Sequence, residues 1–227
     1  MTHLYLYINL FTILFPLALS FDKKVAFYKS WGRLFRGIII MSMIFIPWDI
    51  LFTKAGIWGF NPSYLSGIYF FNLPIEECLF FLTVPFASVF IYACLEAYFP
   101  KKIKVAGKTT LTIFSILLIG FGLLYLDKSY TSFTFILCGL FILMLQHVLK
   151  VSFLPQFFRA YVIVLIPFFM VNGVLTGSFI ENEIVWYSNN HITNFRIGTI
   201  PIEDFIYNLL MLLLTITVYE KSRKTIK

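Results

Sequence analysis

Charge is scarce in this chain. Of its 227 residues only 13% are charged, against 59% hydrophobic and 20% aromatic. A soluble domain of ordinary composition carries about a quarter charged residues. Half that share leaves too little polar surface to meet water, which excludes a soluble globular domain. Cysteine is scarce too. Cys78, Cys94 and Cys138 sit inside apolar blocks, form no CxxC pair and have no histidine at ligand spacing, so they read as small core residues and no metal site is expected. A GxGxxG fingerprint and a Walker loop are both missing, so no dinucleotide or nucleotide cofactor is expected. The net charge of +7 would suit nucleic acid. However, the basic residues lie between apolar blocks, where topology signals belong, and no nucleic-acid partner is expected.

The apolar residues come in long blocks. Blocks of about 18 or more are membrane spans by length. They predict an all-α integral membrane protein with about seven transmembrane helices, over Leu4–Ser20, Leu34–Leu51, Pro74–Tyr98, Leu111–Leu126, Thr131–Leu149, Phe157–Leu175 and Pro201–Tyr219. No small-residue cleavage site follows the first block, so it reads as a span and not as a leader. One set of alternate loops and the tail carries Lys23, Lys24, Lys29, Arg33 and Arg36, then Lys101, Lys102, Lys104 and Lys108, then Lys150 and Arg159, then Lys221, Arg223, Lys224 and Lys227. The other set carries Lys54, Lys128 and Arg196. The positive-inside rule predicts a multi-pass protein of the cell (inner) membrane with its N-terminus outside and its C-terminus cytoplasmic.

The sequence repeats weakly at about 127 residues. Leu73–Phe81 (LPIEECLFF) aligns with Ile200–Asn208 (IPIEDFIYN), matching Pro74 to Pro201, Glu76 to Glu203 and Glu77 to Asp204. Upstream, Gly56-Ile57-Trp58 answers Val185-Trp186-Tyr187 at an offset of 128, and Asp49 matches Asn172 across a small gap. The expected organisation is two parallel three-helix repeats, residues 1–99 and 131–227, joined by a linker helix within 100–130. The odd linker restores the orientation of the second unit, so the halves are related by an axis along the membrane normal. Both acidic motifs then lie at the outer side, each at a helix start with proline near the first position.

Acidic residues in the first turn of a helix complement its dipole, and one such motif would need no other explanation. Two copies at repeat-related positions beside apolar helices point further, because ionisable residues in spans are costly and mark function. Glu76, Glu77, Glu203 and Asp204 are therefore the candidate catalytic acids, with Asp49 a further carboxylate. Adjacent helical residues point about 100° apart, so one acid of each pair faces the bundle and the other faces elsewhere; the sequence leaves open which. Asn172 is the neutral counterpart of Asp49, and interfacial capping is the alternative for both. Trp58, Trp186 and Tyr187 suit either the aromatic belt of the interface or stacking against a cation. Arg196 either pairs with Glu203 or Asp204 or snorkels. His191 lies in an outer loop and reads as solvated, with a proton relay as the alternative.

The doubled P-x-E-[ED] motif is accompanied by Trp48-Asp49, Gly56-Ile57-Trp58, Asn172–Gly177 (NGVLTG), Val185-Trp186-Tyr187 and Arg196-Ile197-Gly198. Together these resemble the membrane lycopene cyclase domain family, over nearly the whole chain. In that family the two domains occur as separate small subunits in some bacteria and as one chain in others, and fungi fuse them to phytoene synthase. The resemblance implies conversion of the ψ ends of lycopene to β-ionone rings, through γ-carotene to β-carotene. It implies a lipophilic carotenoid substrate, membrane lipid as surroundings, and carotenoid-pathway enzymes or a second copy as partners. The chemistry needs an acid, a base and a dry, aromatic-lined pocket, and no cofactor. It implies catalytic roles for the five acids, and substrate binding by Trp58, Asn172, Trp186, Tyr187 and Arg196. A cyclase of longer C50 carotenoids or a hydratase would use the same protonation. A retinal protein needs a lysine in its last span, which Pro201–Tyr219 lacks. A proton-coupled transporter would place its polar groups at mid-membrane, whereas these acids lie near one surface.

Overall fold

The computed structural model describes residues 3–100 and 107–224. Lys101, Lys102, Lys104 and Lys227, counted above among the basic loops, lie outside the described residues. Seven α-helices occur among those described: α1 (Leu4–Leu19), α2 (Trp31–Lys54), α3 (Ile75–Tyr98), α4 (Lys108–Leu124), α5 (Ser129–Leu143), α6 (Leu154–Leu175) and α7 (Ile202–Lys224). A 3-10 turn, Phe27–Ser30, leads into α2, and α5 runs on as a π-helical turn, Met144–Val148. With these extensions, five helices are long and apolar enough to cross a bilayer; α1 and α4 are shorter. At 1.5 Å per residue the two shorter helices rise about 24 and 26 Å, close to a hydrocarbon core of about 30 Å.

A helix satisfies its backbone polar groups internally, so its surface can be apolar all round in lipid. That is how these helices are built. Leu10, Phe11, Leu14 and Phe15 of α1, Ile39, Met43 and Ile44 of α2, and Ile166 and Met170 of α6 are all exposed. The buried core instead gathers on α3 and α7, from Phe81, Phe86 and Val89 of one to Met211, Leu213 and Ile216 of the other. Within the first half α1 packs on α3, and within the second α5 packs on α7. The middle helices cross over: α2 packs on α7 and α6 on α3, so each half closes the other's core. The linker helix α4 packs on α5.

Six short strands sit at the end of the bundle where α1, α3, α5 and α7 begin. They are β1 (Trp58–Phe60), β2 (Tyr69–Phe70), β3 (Leu73–Pro74), β4 (Val185–Tyr187), β5 (Arg196–Ile197) and β6 (Ile200–Pro201). β2 pairs β3 and β5 pairs β6 as two copies of one hairpin, with Tyr69 opposite Pro74 and Arg196 opposite Pro201. The backbone repeats with them: Ile75 N–H donates to Ile68 O at 2.8 Å, and Ile202 N–H donates to Phe195 O at 2.9 Å.

β1 and β4 join the two halves as an antiparallel ribbon, with Trp58 opposite Tyr187, Gly59 opposite Trp186 and Phe60 opposite Val185. This corrects the 128-residue offset read at the tryptophans. A two-fold axis through such a ribbon keeps each side chain on its own face, and a one-residue slip would reverse every face. Trp58 is buried and Trp186 exposed, on opposite faces. An odd offset satisfies the pairing, and the 127 residues that separate the acidic motifs make Gly59 and Trp186 equivalent. The ends of α2 and α6 close through equivalent bonds, Gly56 N–H to Thr53 O and Gly177 N–H to Val174 O.

Candidate functional site: a cavity with three carboxyl groups

The second acid of each motif faces inward. Glu77 and Asp204, in the first turns of α3 and α7, line one cavity between the two halves, beneath the β1–β4 ribbon. Asp49, from the last turns of α2, lines it as well. All three carboxyl groups are buried.

Their surroundings differ. Glu77 Oε2 accepts one hydrogen bond, from Tyr5 Oη at 2.6 Å. Asp204 accepts three. Tyr130 Oη donates to Oδ1 at 2.8 Å, while Tyr187 Oη and Asn172 Nδ2 donate to Oδ2 at 2.8 and 2.7 Å. Burial holds the Tyr187 phenol well above its usual range, and the Asp204 carboxylate adds to this, so Tyr187 stays protonated and donates. Asp49 Oδ2 has no hydrogen-bond partner among the described residues. A buried polar oxygen without a partner is costly, and this one lies at the wall of the cavity.

Rings enclose the acids. Trp58 meets Tyr130 edge-on at 4.9 Å and Tyr207 at 6.1 Å between ring centres, and Tyr130 lies parallel to Tyr187 at 5.9 Å. Phe80 and Phe168 complete the aromatic wall. Electron-rich ring faces around a water-poor space are suited to a carbocation.

Other candidates sit elsewhere. Glu76 and Glu203 are fully buried but outside the cavity. Each fastens its own hairpin to its helix. Glu76 Oε1 accepts Ser66 N–H at 2.6 Å, and Glu203 Oε1 accepts Thr193 N–H at 2.8 Å, at positions 127 residues apart. Glu203 also accepts the hydroxyls of Thr131 and Thr193 at 2.6 and 2.9 Å. Trp186 is on the ribbon's outer face, its indole covering Gly59 so closely that no Cβ fits there. Arg196 is exposed on β5. It donates to Thr199 O at 2.6 Å, lies 5.9 Å from the Tyr187 ring centre, and forms no ion pair with Glu203 or Asp204. His191 contacts Ser129 Oγ outside the cavity.

The structure adds Tyr5, Tyr130, Tyr207 and Phe80 to the site. Two signals in the sequence point to them. Phe80 and Tyr207 each follow the inward acid by three positions, the spacing that shares a helix face. Tyr5 and Tyr130 begin the first helix of each half.

A lycopene cyclase family model matches residues 2–95 and 127–222, one segment per half. A bifunctional lycopene cyclase/phytoene synthase of Aspergillus oryzae is 30% identical over 93 residues, which is 40% of this chain and 16% of that protein, so this chain matches about a sixth of the relative's length. No solved structure matches. The two family segments coincide with the two halves that build the cavity, and the chain belongs to the lycopene cyclase family.

Proposed function

We propose that this chain is a lycopene β-cyclase that closes the ψ ends of lycopene by redox-neutral acid–base catalysis. One observation carries the reading: Glu77 and Asp204, one from each half, meet in a single aromatic-walled cavity.

Glu77 is the acid. Its carboxyl gives a proton to the terminal double bond, which leaves a tertiary carbocation. The neighbouring alkene attacks that centre, forming the ring bond and moving the positive charge into the ring. Asp204 then removes an adjacent ring proton, and the electron pair of that C–H bond becomes the ring double bond. One proton is given and one taken, so the product is an isomer of the substrate. Two carboxyl groups divided by their environment is a recurring arrangement for such work. The donors sort them. Three hydrogen bonds aimed at Asp204 suit an ionised acceptor, whereas Glu77 has one donor and Asp49 beside it in the cavity. Asp49 is a proton relay to Glu77 in this scheme. Trp58, Tyr187 and Tyr207 face the cationic intermediate, with Asn172 orienting Asp204. The units 1–99 and 131–227 thus act as one enzyme, each supplying one acid.

The alternation of basic loops supports an inner-membrane orientation with the N-terminus outside and the tail cytoplasmic, which sets the cavity toward the outer side. The test is pigment analysis of lycopene-accumulating bacteria expressing the chain. Cyclic carotenes support the reading, hydroxylated acyclic carotenoids point to a hydratase, and unchanged lycopene refutes both.

A further inference from the structure

A second opening adjoins the acidic cavity. It shares Phe80, Phe168, Asn172 and Asn208 with the cavity and then leaves it along the face of α3 that lies between α1 and α6. Its floor on α3 is Ala87, Ser88 and Ile91, and its wall on α6 is Val164, Pro167 and Val171. Pro167 is exposed, and Ala87, Ile91 and Val171 are partly so, which makes this a groove open sideways and not a closed pocket. Thr12 of α1 also borders it, with its hydroxyl turned away to donate to Ile8 O at 2.8 Å. From Phe80 to Ile91 the groove descends about 16 Å along the helix, well into the hydrocarbon depth.

The equivalent seam in the other half is shut. Thr215 lies 127 residues after Ser88, and there α2 presents Gly37. A Cβ on Gly37 would lie 2.7 Å from Thr215 O, so the two backbones are in contact. Small residues are what allow such close approach of membrane helices. Opposite Ser88, α6 presents Val164 and Pro167 and stands off. The cavity is therefore built by two halves but has a lateral opening on one side.

We propose that the α3–α6 groove is the track for the straight polyene chain of the substrate, which slides in sideways from the bilayer with one end group reaching the acids. The proposal rests on the cyclase reading above. The groove's apolar lining, depth and position beside the acidic cavity fit an extended hydrocarbon. Ala87, the smallest side chain on its floor, sets its width. A single track also means one end per encounter: the half-cyclised product must leave and return reversed.

The experiment replaces Ala87 by Val, Leu and Phe in the full chain. It reads lycopene turnover per inserted protein, and polyene absorbance retained by the purified protein, beside Glu77→Gln. Expected is a graded loss of both readouts with side-chain size, about tenfold or more for Phe, corresponding to roughly 1.4 kcal/mol or more of overpacking. Glu77→Gln should lose turnover and retain the polyene. Full turnover and full retention in Ala87→Leu and Ala87→Phe overturn the track. A wild-type chain that neither binds nor converts lycopene overturns the cyclase reading itself, and the track with it.

Discussion

Tyr5 Oη donates to Glu77 Oε2 at 2.6 Å, tying the first turn of α1 to the first turn of α3 across 72 positions of sequence. The bond fixes the direction in which the carboxyl faces the cavity. A hydrogen bond between uncharged partners contributes about 0.5–1.5 kcal/mol, and Glu77 holds its proton in the proposed scheme. Tyr5→Phe removes the donor and keeps the ring. We expect turnover to fall about threefold to tenfold, with unchanged insertion, measured as cyclic carotene per unit of membrane protein. Unchanged turnover would mean that the orientation of Glu77 does not matter to the reaction.

Glu76 and Glu203 hold hairpins, so their loss should appear in stability before activity. Glu76→Gln and Glu203→Gln each weaken buried charge-assisted bonds to a loop N–H, and a cost of about 1–3 kcal/mol is expected. Thermal unfolding in detergent should shift down, while the folded fraction still cyclises lycopene within about threefold of wild type. Loss of turnover at unchanged stability would place these residues in the chemistry instead.

The fold was readable from the sequence because membrane physics is strict: long apolar blocks must be helices, and basic loops alternate sides. The site was readable in part. The repeat located Glu77 and Asp204, but on a helix the neighbouring Glu76 and Glu203 are equally acidic and differ only in facing, which depends on how the hairpins fold back. Trp58 and Trp186 look alike in sequence, yet a one-residue difference in ribbon register puts one in the cavity and the other on the outer face. Tyr5 and Tyr130 share only a place at the start of the first helix of each half; their value comes from donating to an acid on a different helix. Gly37 carried no sign that it closes a seam, since its partner Thr215 lies on the last helix.

The proposed topology puts the β1–β4 ribbon and the Arg196 hairpin outside and the basic tail inside. Reporter fusions after Asn189 and after Lys221 should report opposite sides of the membrane. Fusions reporting the same side would contradict the crossing by α7.

The proposed reaction transfers no net electrons. Purified protein in lipid should cyclise lycopene without added flavin, nicotinamide or metal, followed by the spectral change of the polyene. Strict dependence on a reduced cofactor would show that the proton-transfer scheme is incomplete.

The central claim is that one carboxyl from each half performs the proton transfers. The direct measurement is cyclic carotene yield, normalised to inserted protein, for Glu77→Gln and Asp204→Asn. Amides keep the shape and much of the hydrogen bonding but neither give nor take the proton. General acid–base groups contribute about 10² to 10⁴-fold, and loss of the donor that forms the cation should cost at least that much. The account predicts that both variants insert normally and yield cyclic product lower by about 100-fold or more. Near-normal cyclisation by either variant would contradict it.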